Sequence, residues 1–245
     1  MAKFLRPLIF ACTVLAVHSL AQEDLPPGVV AVDFTVYAFN DSPVQLRYAV
    51  GKGSSPDLQF FPTSRSPHYR YVGPAHLIFY RETSTPGANG QPVVHRQSVA
   101  EVQLNPAIRK PLLVFFPLKQ PTAAGVEFSV FEYDDSLENL PAGHMAIFNA
   151  TEYQLALTVA KKPLILDPGP SASFPAKGQT KVTGALVIAG VKYPGAIEDL
   201  FPGNPDERGL LFLYPPLRRG SPILQYAYLV EPVVRPEKKT KAGAP

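Results

Sequence analysis

Proline and glycine interrupt this chain so often that long helices are excluded. The 245 residues include 28 prolines and 17 glycines, and a proline inside a helix removes a backbone donor and clashes with the preceding turn. The segments between these breaks are short, so helix is expected only as single turns, such as residues 197–201. The chain is therefore predicted to be all-β.

Several segments alternate large apolar residues with smaller or polar ones, as strands with one buried face do. The alternating sets are Val44, Leu46, Tyr48 and Val50; Tyr153, Leu155, Leu157 and Val159; and Leu224, Tyr226, Tyr228 and Val230. Residues 112–116 and 210–214 are apolar without a break, which predicts central strands buried on both faces. The even spacing of short strands favours an immunoglobulin-like β-sandwich over a barrel.

The first 21 residues have the composition of a secretory signal peptide. Lys3 and Arg6 give a basic start, and residues 8–17 form an apolar run. Ser19 and Ala21 are small residues three and one places before a cut after Ala21. The apolar run is shorter than the roughly 20 residues that span a bilayer. The mature protein is therefore expected to be secreted or periplasmic, with no transmembrane segment.

The only cysteine, Cys12, lies inside this apolar run. A lipoprotein attachment site is the alternative, but Phe10 stands where such sites usually have a small residue. A cut after Ala21 leaves 224 of the 245 residues and no cysteine, so the mature fold must be stable through apolar burial without disulfides. An exported bacterial protein fits this pattern best.

Charge gives little information about partners. Loss of Lys3 and Arg6 with the leader reduces 23 basic residues to 21, against 20 acidic ones. Much of the basic excess lies in residues 233–245, which we expect to form a disordered, solvated basic tail. A nucleic-acid partner is not expected, because no basic face of the kind that binds nucleic acid is evident.

Three sequence matches recur in the same order along the chain and predict two related halves. Residues 39–48, FNDSPVQLRY, resemble residues 148–157, FNATEYQLAL, and residues 105–119 align without a gap with residues 204–218. The tetrapeptide LPPG at Leu25 precedes the first copy as LPAG at Leu140 precedes the second. We place the halves at 24–135 and 136–232, with a junction at 132–143. They are either tandem domains or parts of one larger sandwich.

The stretch from residue 133 to 151, YDDSLENLPAGHMAIFNAT, followed by LILDPG, resembles a pattern in uncharacterised exported β-rich proteins of environmental bacteria. That pattern combines an acidic turn, a Pro-x-Gly, a strand that ends in Asn-x-Ser/Thr, and a later Pro-Gly. The matching residues are Asp134, Asp135, Pro141, Gly143, Asn149, Thr151, Pro168 and Gly169. The resemblance implies a β-sandwich and carries no activity with it.

The stretch RSPHYRYVG at residues 65–73 is the best candidate for a ligand surface. His68, Tyr69, Arg70 and Tyr71 interleave cations with aromatic rings, and on an exposed loop such a set stacks on sugar rings or holds an anion. The alternative is an edge strand whose alternate tyrosines pack inward. The absence of tryptophan weakens the sugar-binding interpretation, because tryptophan offers the largest stacking face.

Two further patterns have competing interpretations. Oxygen ligands concentrate at Asp134, Asp135, Glu138 and Asn139, which makes a calcium site the functional hypothesis and a solvated turn the structural one. Asn40-Asp41-Ser42 and Asn149-Ala150-Thr151 match the acceptor pattern for N-glycosylation, but turns are the favoured interpretation of both. No pair of histidines has metal-binding spacing, so a zinc site is not expected.

No catalytic signature or cofactor motif is recognisable, and no enzyme is predicted. The first hypothesis is an exported, non-enzymatic protein with a binding or structural role, whose partner is another protein or a cell-envelope polymer. A periplasmic two-domain assembly chaperone is the first alternative, and it requires a basic pair such as Arg47 and Lys110 in an interdomain cleft. A hydrolase with a dispersed site is the second. It requires His76 or His95 beside a carboxylate and a serine.

Overall fold

The computed structural model describes residues 25–39, 43, 45–87, 91–218 and 220–233. The leader with Cys12, the sequence Asn40-Asp41-Ser42, Val44 and the tail from residue 234 lie outside the described residues. The described part is all-β, with 60% strand and no helix. The helical turn predicted at residues 197–201 is wrong, because these residues lie inside a long strand.

The described residues form seventeen strands, and the first eight belong to the first predicted half. These are β1 (Val29–Ala38), β2 (Arg47–Val50), β3 (Gly53–Ser54), β4 (Tyr69–Pro74), β5 (His76–Pro86), β6 (Pro92–Gln103), β7 (Pro111–Pro117) and β8 (Phe128–Asp134). They form one sheet in the order β3-β2-β5-β6-β8-β7-β1-β4. The parallel pairing of β6 with β8 joins the hairpin β5–β6 to the hairpin β7–β8, so the eight strands form one continuous sheet.

The remaining nine strands follow the junction loop, residues 135–143. They are β9 (His144–Asn149), β10 (Gln154–Val159), β11 (Lys162–Leu166), β12 (Gly169–Pro170), β13 (Phe174–Pro175), β14 (Gly178–Ile188), β15 (Val191–Gly203), β16 (Glu207–Tyr214) and β17 (Gln225–Pro232). One sheet has the order β11-β10-β14-β15 and the other β12-β9-β16-β17, with β13 also on β9. Strands of both sheets contribute to one apolar core.

The pairing scheme of the first eight strands recurs in the second half. In the first half, β1 pairs with β4 antiparallel and with β7 parallel, β2 joins β3 to β5, and the hairpins β5–β6 and β7–β8 complete the scheme. In the second half, β9 pairs with β13 antiparallel and with β16 parallel. Strand β10 joins β11 to β14, and the hairpins are β14–β15 and β16–β17. The short β12 and the β6–β8 contact are the departures from this correspondence.

The repeated LPxG tetrapeptides form the same turn. The amide of Val29 donates to the carbonyl of Pro26 at 3.0 Å, and the amide of His144 donates to the carbonyl of Pro141 at 3.2 Å. Gly28 has a φ of 79° and Gly143 a φ of 73°. Side chains rarely adopt this left-handed backbone, so glycine is required at the fourth position of both copies.

A serine fixes the strand that follows each turn. Ser66 accepts a hydrogen bond from the amide of Val36 through its hydroxyl at 2.8 Å and donates its own amide to the Val36 carbonyl. Ser171 makes the same two contacts with Ile147, at 2.9 Å and 2.7 Å. Neither serine lies within the matched sequence stretches, so this equivalence is visible only in the structure.

Three apolar clusters hold the chain together. One lies inside the first half and a second inside the second half. The third, which we call the interface core, lies between the halves and includes Tyr37, Leu112, Val114, Tyr133, Leu140, Ala146, Phe148, Leu210, Phe212, Tyr214 and Leu229. Strands β7 and β16 therefore face an apolar cluster on both sides, because alternate residues of a strand point to opposite faces.

The continuous apolar runs were predicted as strands buried on both faces, and the structure confirms this. In β7, Leu112 and Val114 face the interface core, while Leu113 and Phe115 face the core of the first half. Residues 210–214 of β16 are at most 3% exposed. A fully buried strand has no solvent face, which explains why its sequence shows no alternation.

The alternating sets were predicted correctly in part. Leu155, Leu157 and Val159 are buried as expected, but Val50 is 49% exposed and Tyr226 is 44% exposed. In β17 the deeply buried residue is Leu229, on the opposite face. Tyr226 donates its hydroxyl to the carboxylate of Asp199, and Tyr228 donates to the carbonyl of Pro202 at 2.7 Å. These two hydroxyl contacts connect β17 to β15. At the equivalent place in the first half, β8 pairs with β6 instead.

The gapless alignment of residues 105–119 with 204–218 is out of register inside the strand. It places Leu112, which faces the interface core, opposite Leu211, which faces the core of the second half. In the backbone pairings, Leu113 lies opposite Val36 and Leu211 lies opposite Ile147. Because Ser66 binds Val36 as Ser171 binds Ile147, Leu113 and Leu211 are the structurally equivalent residues. A shift by one residue turns every side chain to the other face, so the segment from Asn204 to Leu211 is one residue shorter than the equivalent segment from Asn105 to Leu113.

Replacement of Phe212 by alanine tests the interface core. Its side chain is fully buried, with ring centroids 5.3 Å from Tyr37 and 5.4 Å from Phe148. We expect Phe212→Ala to lower the free energy of unfolding by about 3–5 kcal/mol, because the cavity adds to the lost burial. Urea denaturation measures the change. The matched control, Phe61→Ala at a ring 39% exposed, should stay within about 0.5 kcal/mol, and equal losses for both variants would contradict the assignment.

Candidate binding clefts between the halves

Two clefts open at opposite ends of the interface core. The charged cleft, of about 630 Å³, lies where β7 and β16 begin, and the aromatic cleft, of about 550 Å³, lies where these strands end. Both clefts are lined by residues from both halves of the chain. They differ in chemistry, because one is rich in ionic side chains and the other has none.

The charged cleft contains a buried ion network at its floor. Arg65 binds Asp135 through two hydrogen bonds, at 2.6 Å from Nε and 2.8 Å from Nη2. Both side chains are only 6% exposed. Burial alone would lower the pKa of Arg65, but the charges of Asp135 and Glu231 act in the opposite direction and leave this pKa raised. The bidentate geometry is the one that matches a guanidinium to a carboxylate.

A second arginine joins the network from the other half. Arg208, in β16, donates to the main-chain carbonyl of Asp135 at 2.6 Å and to its carboxylate at 3.2 Å. It also donates from Nε to Glu231 of β17 at 2.7 Å. Two cations and two carboxylates thus neutralise one another and tie the junction loop to both halves. Removal of any one partner would leave an uncompensated buried charge, which costs far more than the net value of the pair.

The aromatic cleft is lined entirely by residues without formal charge. Its lining residues are Phe39, Phe116, Pro117, Ser129, Phe131, Phe148, Asn149, Ala150, Thr151, Pro168, Gly169, Tyr214, Pro215, Pro216, Leu217 and Gln225. Five of them are aromatic and four are prolines. Elsewhere the described surface carries many ionic side chains, so this stretch is distinct in composition.

The rings of the aromatic cleft contact one another and leave apolar surface open. Phe39 stacks on Tyr214 with centroids 3.5 Å apart, and Phe131 meets Phe148 edge to face at 4.9 Å. Phe131 is nevertheless 42% exposed, and Leu217 at the rim is 80% exposed. Large exposed apolar side chains next to a concave aromatic surface are typical of a ligand site.

The repeated sequence motifs meet in this cleft. Phe39 and Phe148 are the first residues of the two FN stretches, and Phe116 of β7 and Tyr214 of β16 end the two apolar runs. Corresponding ends of the two halves therefore build the cleft together. The repeat was the sequence signal that could have located it, but it gives no information on which residues of the two copies approach each other.

Few polar groups of the aromatic cleft are available to a ligand. Gln225 donates its side-chain Nε2 to the carbonyl of Pro215 at 3.0 Å, which orients the amide and leaves Oε1 as an acceptor. Ser129 is exposed on β8, and its hydroxyl makes no hydrogen bond within the described part of the chain. The solvent-accessible side chains of the cleft thus offer one oriented acceptor and one hydroxyl.

The side chain of Asn149 is fully hydrogen-bonded within the turn after β9. Its Nδ2 donates to the carbonyls of Tyr153 at 2.8 Å and Leu166 at 3.2 Å. Its Oδ1 accepts from the amide and the hydroxyl of Thr151 at 3.0 Å and 2.8 Å. Asn149 is 1% exposed, so in the folded protein its amide is inaccessible to a glycosylating enzyme. The Asn-x-Thr pattern here forms a turn. The equivalent Asn40 lies outside the described residues.

The predicted ligand surface at residues 68–71 is split by the strand. Tyr71 is 5% exposed in the core of the first half, and Tyr69 packs against that core. Arg70 points outward and binds Asp33 at 2.9 Å, while His68 lies at the charged cleft. Strand β4 is the edge strand of its sheet. Because successive side chains of a strand point to opposite faces, the four residues form no common stacking surface.

The oxygen-rich stretch at residues 134–139 forms a structured turn. Asp135 is bound by the two arginines, and Asp134 accepts from the amide of Ser136 at 3.1 Å. Asn139 donates its side-chain amide to the carbonyl of Asp134 at 2.7 Å, and Glu138 is exposed at the cleft. Among the described residues, no group of three or more His, Cys, Asp or Glu side chains converges. The hypothesised calcium ligands are therefore not brought together.

Arg47 and Lys110 do not converge, and His76 and His95 lie away from both clefts. Arg47 binds Asp57 at 2.6 Å and Glu82 at 2.7 Å, whereas Lys110 lines the charged cleft, to which Arg47 does not contribute. His76 lies 3.1 Å from Glu101 on the exposed β5–β6 hairpin. His95 contacts Thr85 on the same hairpin, also at 3.1 Å. Neither histidine lines either cleft.

No protein-family model matches this chain, and no curated protein matches it significantly in sequence. In the portion that the structure describes, no helix is long and apolar enough to cross a membrane. The two clefts must therefore be interpreted from their own chemistry.

Glu132 is a half-buried carboxylate with an unusual environment. Its Oε2 accepts from the amide of Asn105 at 2.8 Å, while Oε1 is buried without a hydrogen-bond partner. Burial raises the pKa of Glu132 from 4.5 to about 7, against the opposing effect of the Asn105 amide, and the nearby charge of Asp134 adds to the rise. The folded protein therefore holds this proton more tightly than the unfolded chain does.

Glu132→Gln should remove one component of the pH dependence of stability. Between pH 4.5 and about 7 the folded state binds more protons at Glu132, so the free energy of unfolding falls as pH rises through this window. The glutamine variant lacks this fall, and its stability relative to the wild type should increase with pH up to about 7. Urea denaturation at several pH values measures the difference. Stability curves for Glu132→Gln that run parallel to those of the wild type would contradict the assignment.

Asn149→Ala should destabilise the protein by about 3 kcal/mol, because it leaves several buried main-chain and hydroxyl groups without partners. The matched control is Asn204→Ala. The side chain of Asn204 accepts one exposed hydrogen bond from Asp206 at 3.1 Å, and its loss should cost about 1 kcal/mol or less. Thermal and urea unfolding measure both variants. A loss for Asn149→Ala no larger than the control would show that the turn is not a structural element.

Proposed function

We propose that this protein is an exported, non-enzymatic binding protein that takes an uncharged, largely apolar ligand in the aromatic cleft. Export rests on the composition of residues 1–21. The observation that carries the binding role is a concave surface of about 550 Å³ between the halves, lined by five aromatic residues and no charged one. Ligand sites typically have this volume and a mostly apolar lining with a few placed polar groups.

The side chains that line the aromatic cleft suit a binding role better than a catalytic one. Its single titratable side chain is Tyr214, whose pKa is raised above the ordinary value of 10 by burial and by the neighbouring Tyr37. A hydroxyl that holds its proton so tightly is a poor base at neutral pH. In the charged cleft, the deepest acidic and basic groups are engaged with one another.

We also propose that the halves 24–135 and 136–232 are copies of one sandwich module of immunoglobulin-like size. The recurrent strand pairings, the two identical LPxG turns and the paired contacts of Ser66 and Ser171 support this proposal. Duplication would account for the binding site, because two equivalent strand ends become neighbours when the copies associate face to face. A secreted or periplasmic location follows from the predicted leader.

The test uses the mature protein, residues 22–245, and a neutral apolar fluorescent probe, N-phenyl-1-naphthylamine. We expect the probe to gain fluorescence on binding. Phe131→Ala should weaken its affinity about tenfold, because it removes an exposed ring from the cleft wall. The matched control is Phe61→Ala, since Phe61 is 39% exposed and does not line the cleft.

A second measurement places the probe. The chain has no tryptophan, so Leu217→Trp introduces a single reporter at the rim of the aromatic cleft, and Ile223→Trp, at a side chain 64% exposed outside the cleft, serves as its control. Bound probe should quench the first reporter and not the second. Absence of probe binding, or equal effects of the Phe131 and Phe61 variants, would overturn the proposed function.

A further inference from the structure

Resting on the proposed function, we infer that the occupant of the aromatic cleft is an uncharged, extended, proline-rich segment of a partner protein. The inference depends on three properties of the cleft: its charge, its free hydrogen-bonding groups and the shape of its apolar surface.

The charge of the lining excludes ionic ligands. None of the sixteen lining residues carries a formal charge, so a carboxylate, phosphate or ammonium group would lose its hydration without a compensating partner. The fixed charges at the interface lie in the network of Arg65, Asp135, Arg208 and Glu231, and Asp135, Arg208 and Glu231 line the opposite cleft. Electrostatics therefore selects a neutral occupant.

The free hydrogen-bonding groups do not suit a saccharide. A sugar ring presents hydroxyls on most of its carbons, and burial requires that they find partners. The cleft offers the Oε1 acceptor of Gln225 and the hydroxyl of Ser129, because the side chain of Asn149 is saturated by its own turn. A peptide group needs one acceptor and one donor, which these two side chains supply.

Proline fits the remaining surface for two reasons. It has no backbone N–H, so a segment rich in proline brings few donors into a cleft that has one oriented acceptor. Its ring is a rigid apolar surface that packs on aromatic side chains, and the polyproline II conformation is already extended before binding. The open faces next to Phe116 and Phe131 belong to the first half and Leu217 to the second, so an extended segment would contact both halves.

The experiment titrates the mature Leu217→Trp protein with the blocked peptide acetyl-Pro-Pro-Leu-Pro-Pro-Leu-amide. Matched ligands are the same peptide with aspartate in place of the first leucine and a neutral cello-oligosaccharide of similar length. We expect the proline–leucine peptide to shift the tryptophan emission to the blue and saturate. The aspartate peptide should bind at least tenfold more weakly, and the saccharide should have no effect.

Polar substitutions separate this inference from the proposed function. Ser129→Ala and Gln225→Ala should each weaken peptide binding several-fold and weaken the binding of N-phenyl-1-naphthylamine by a clearly smaller factor, since that probe needs little hydrogen bonding. Gln103→Ala, at an exposed glutamine of β6, should alter neither ligand. If the probe binds and the peptide does not, or if the saccharide binds better, the peptide inference is wrong and the binding role stands. If no ligand binds, both are wrong.

Discussion

The apolar cluster between the two halves is the interaction on which the rest of the structure depends. Strands β7 and β16 bury both faces, one against the core of their own half and one against the interface core. Such strands cannot be left at a surface, because each half alone would expose the face that includes Leu112 and Val114 or Leu210 and Phe212 to water. The described residues contain no cysteine, so this burial holds the halves against each other without a disulfide cross-link. The two clefts lie where this cluster ends, next to the beginnings and the ends of β7 and β16.

The two ends of the interface differ in chemistry, since one is ionic and the other is aromatic. At one end, Arg65, Asp135, Arg208 and Glu231 satisfy one another at the floor of the charged cleft, where Arg65, Asp135 and Arg208 are largely buried and Glu231 is partly exposed. Ion networks of this kind contribute little net stability compared with apolar contacts, but they penalise any arrangement that leaves one charge without its partners. The network therefore favours a single placement of the junction loop against both halves. At the other end, ring contacts among Phe39, Phe131 and Tyr214 and their partners leave apolar surface that the chain itself does not cover.

Local features of the sequence predicted most of the secondary structure. The density of proline and glycine excluded long helices, and the two continuous apolar runs became the doubly buried strands. The errors arose where a distant contact overrode the local pattern. Residues 197–201 form part of β15 because they pair with β14, and Tyr226 turns outward because its hydroxyl reaches Asp199. The gapless alignment failed by an odd number of residues, since sequence identity does not report which face of a strand is buried. Residues 68–71 follow the alternative interpretation given for them, because Tyr69 and Tyr71 turn toward the core from the edge strand β4.

The sequence by itself determined the class of structure and the turns, because these follow from backbone restrictions and from a two-residue period that short stretches of sequence contain. Gly28 and Gly143 illustrate this, as each is required by its own turn. The tertiary structure alone decided which strand ends became neighbours, and with them the aromatic cleft and the buried ion network. Phe39, Phe116, Phe148 and Tyr214 are far apart along the chain and come together only when both halves associate. Strand pairing between distant segments is cooperative and depends on the whole core, so no local pattern specifies it.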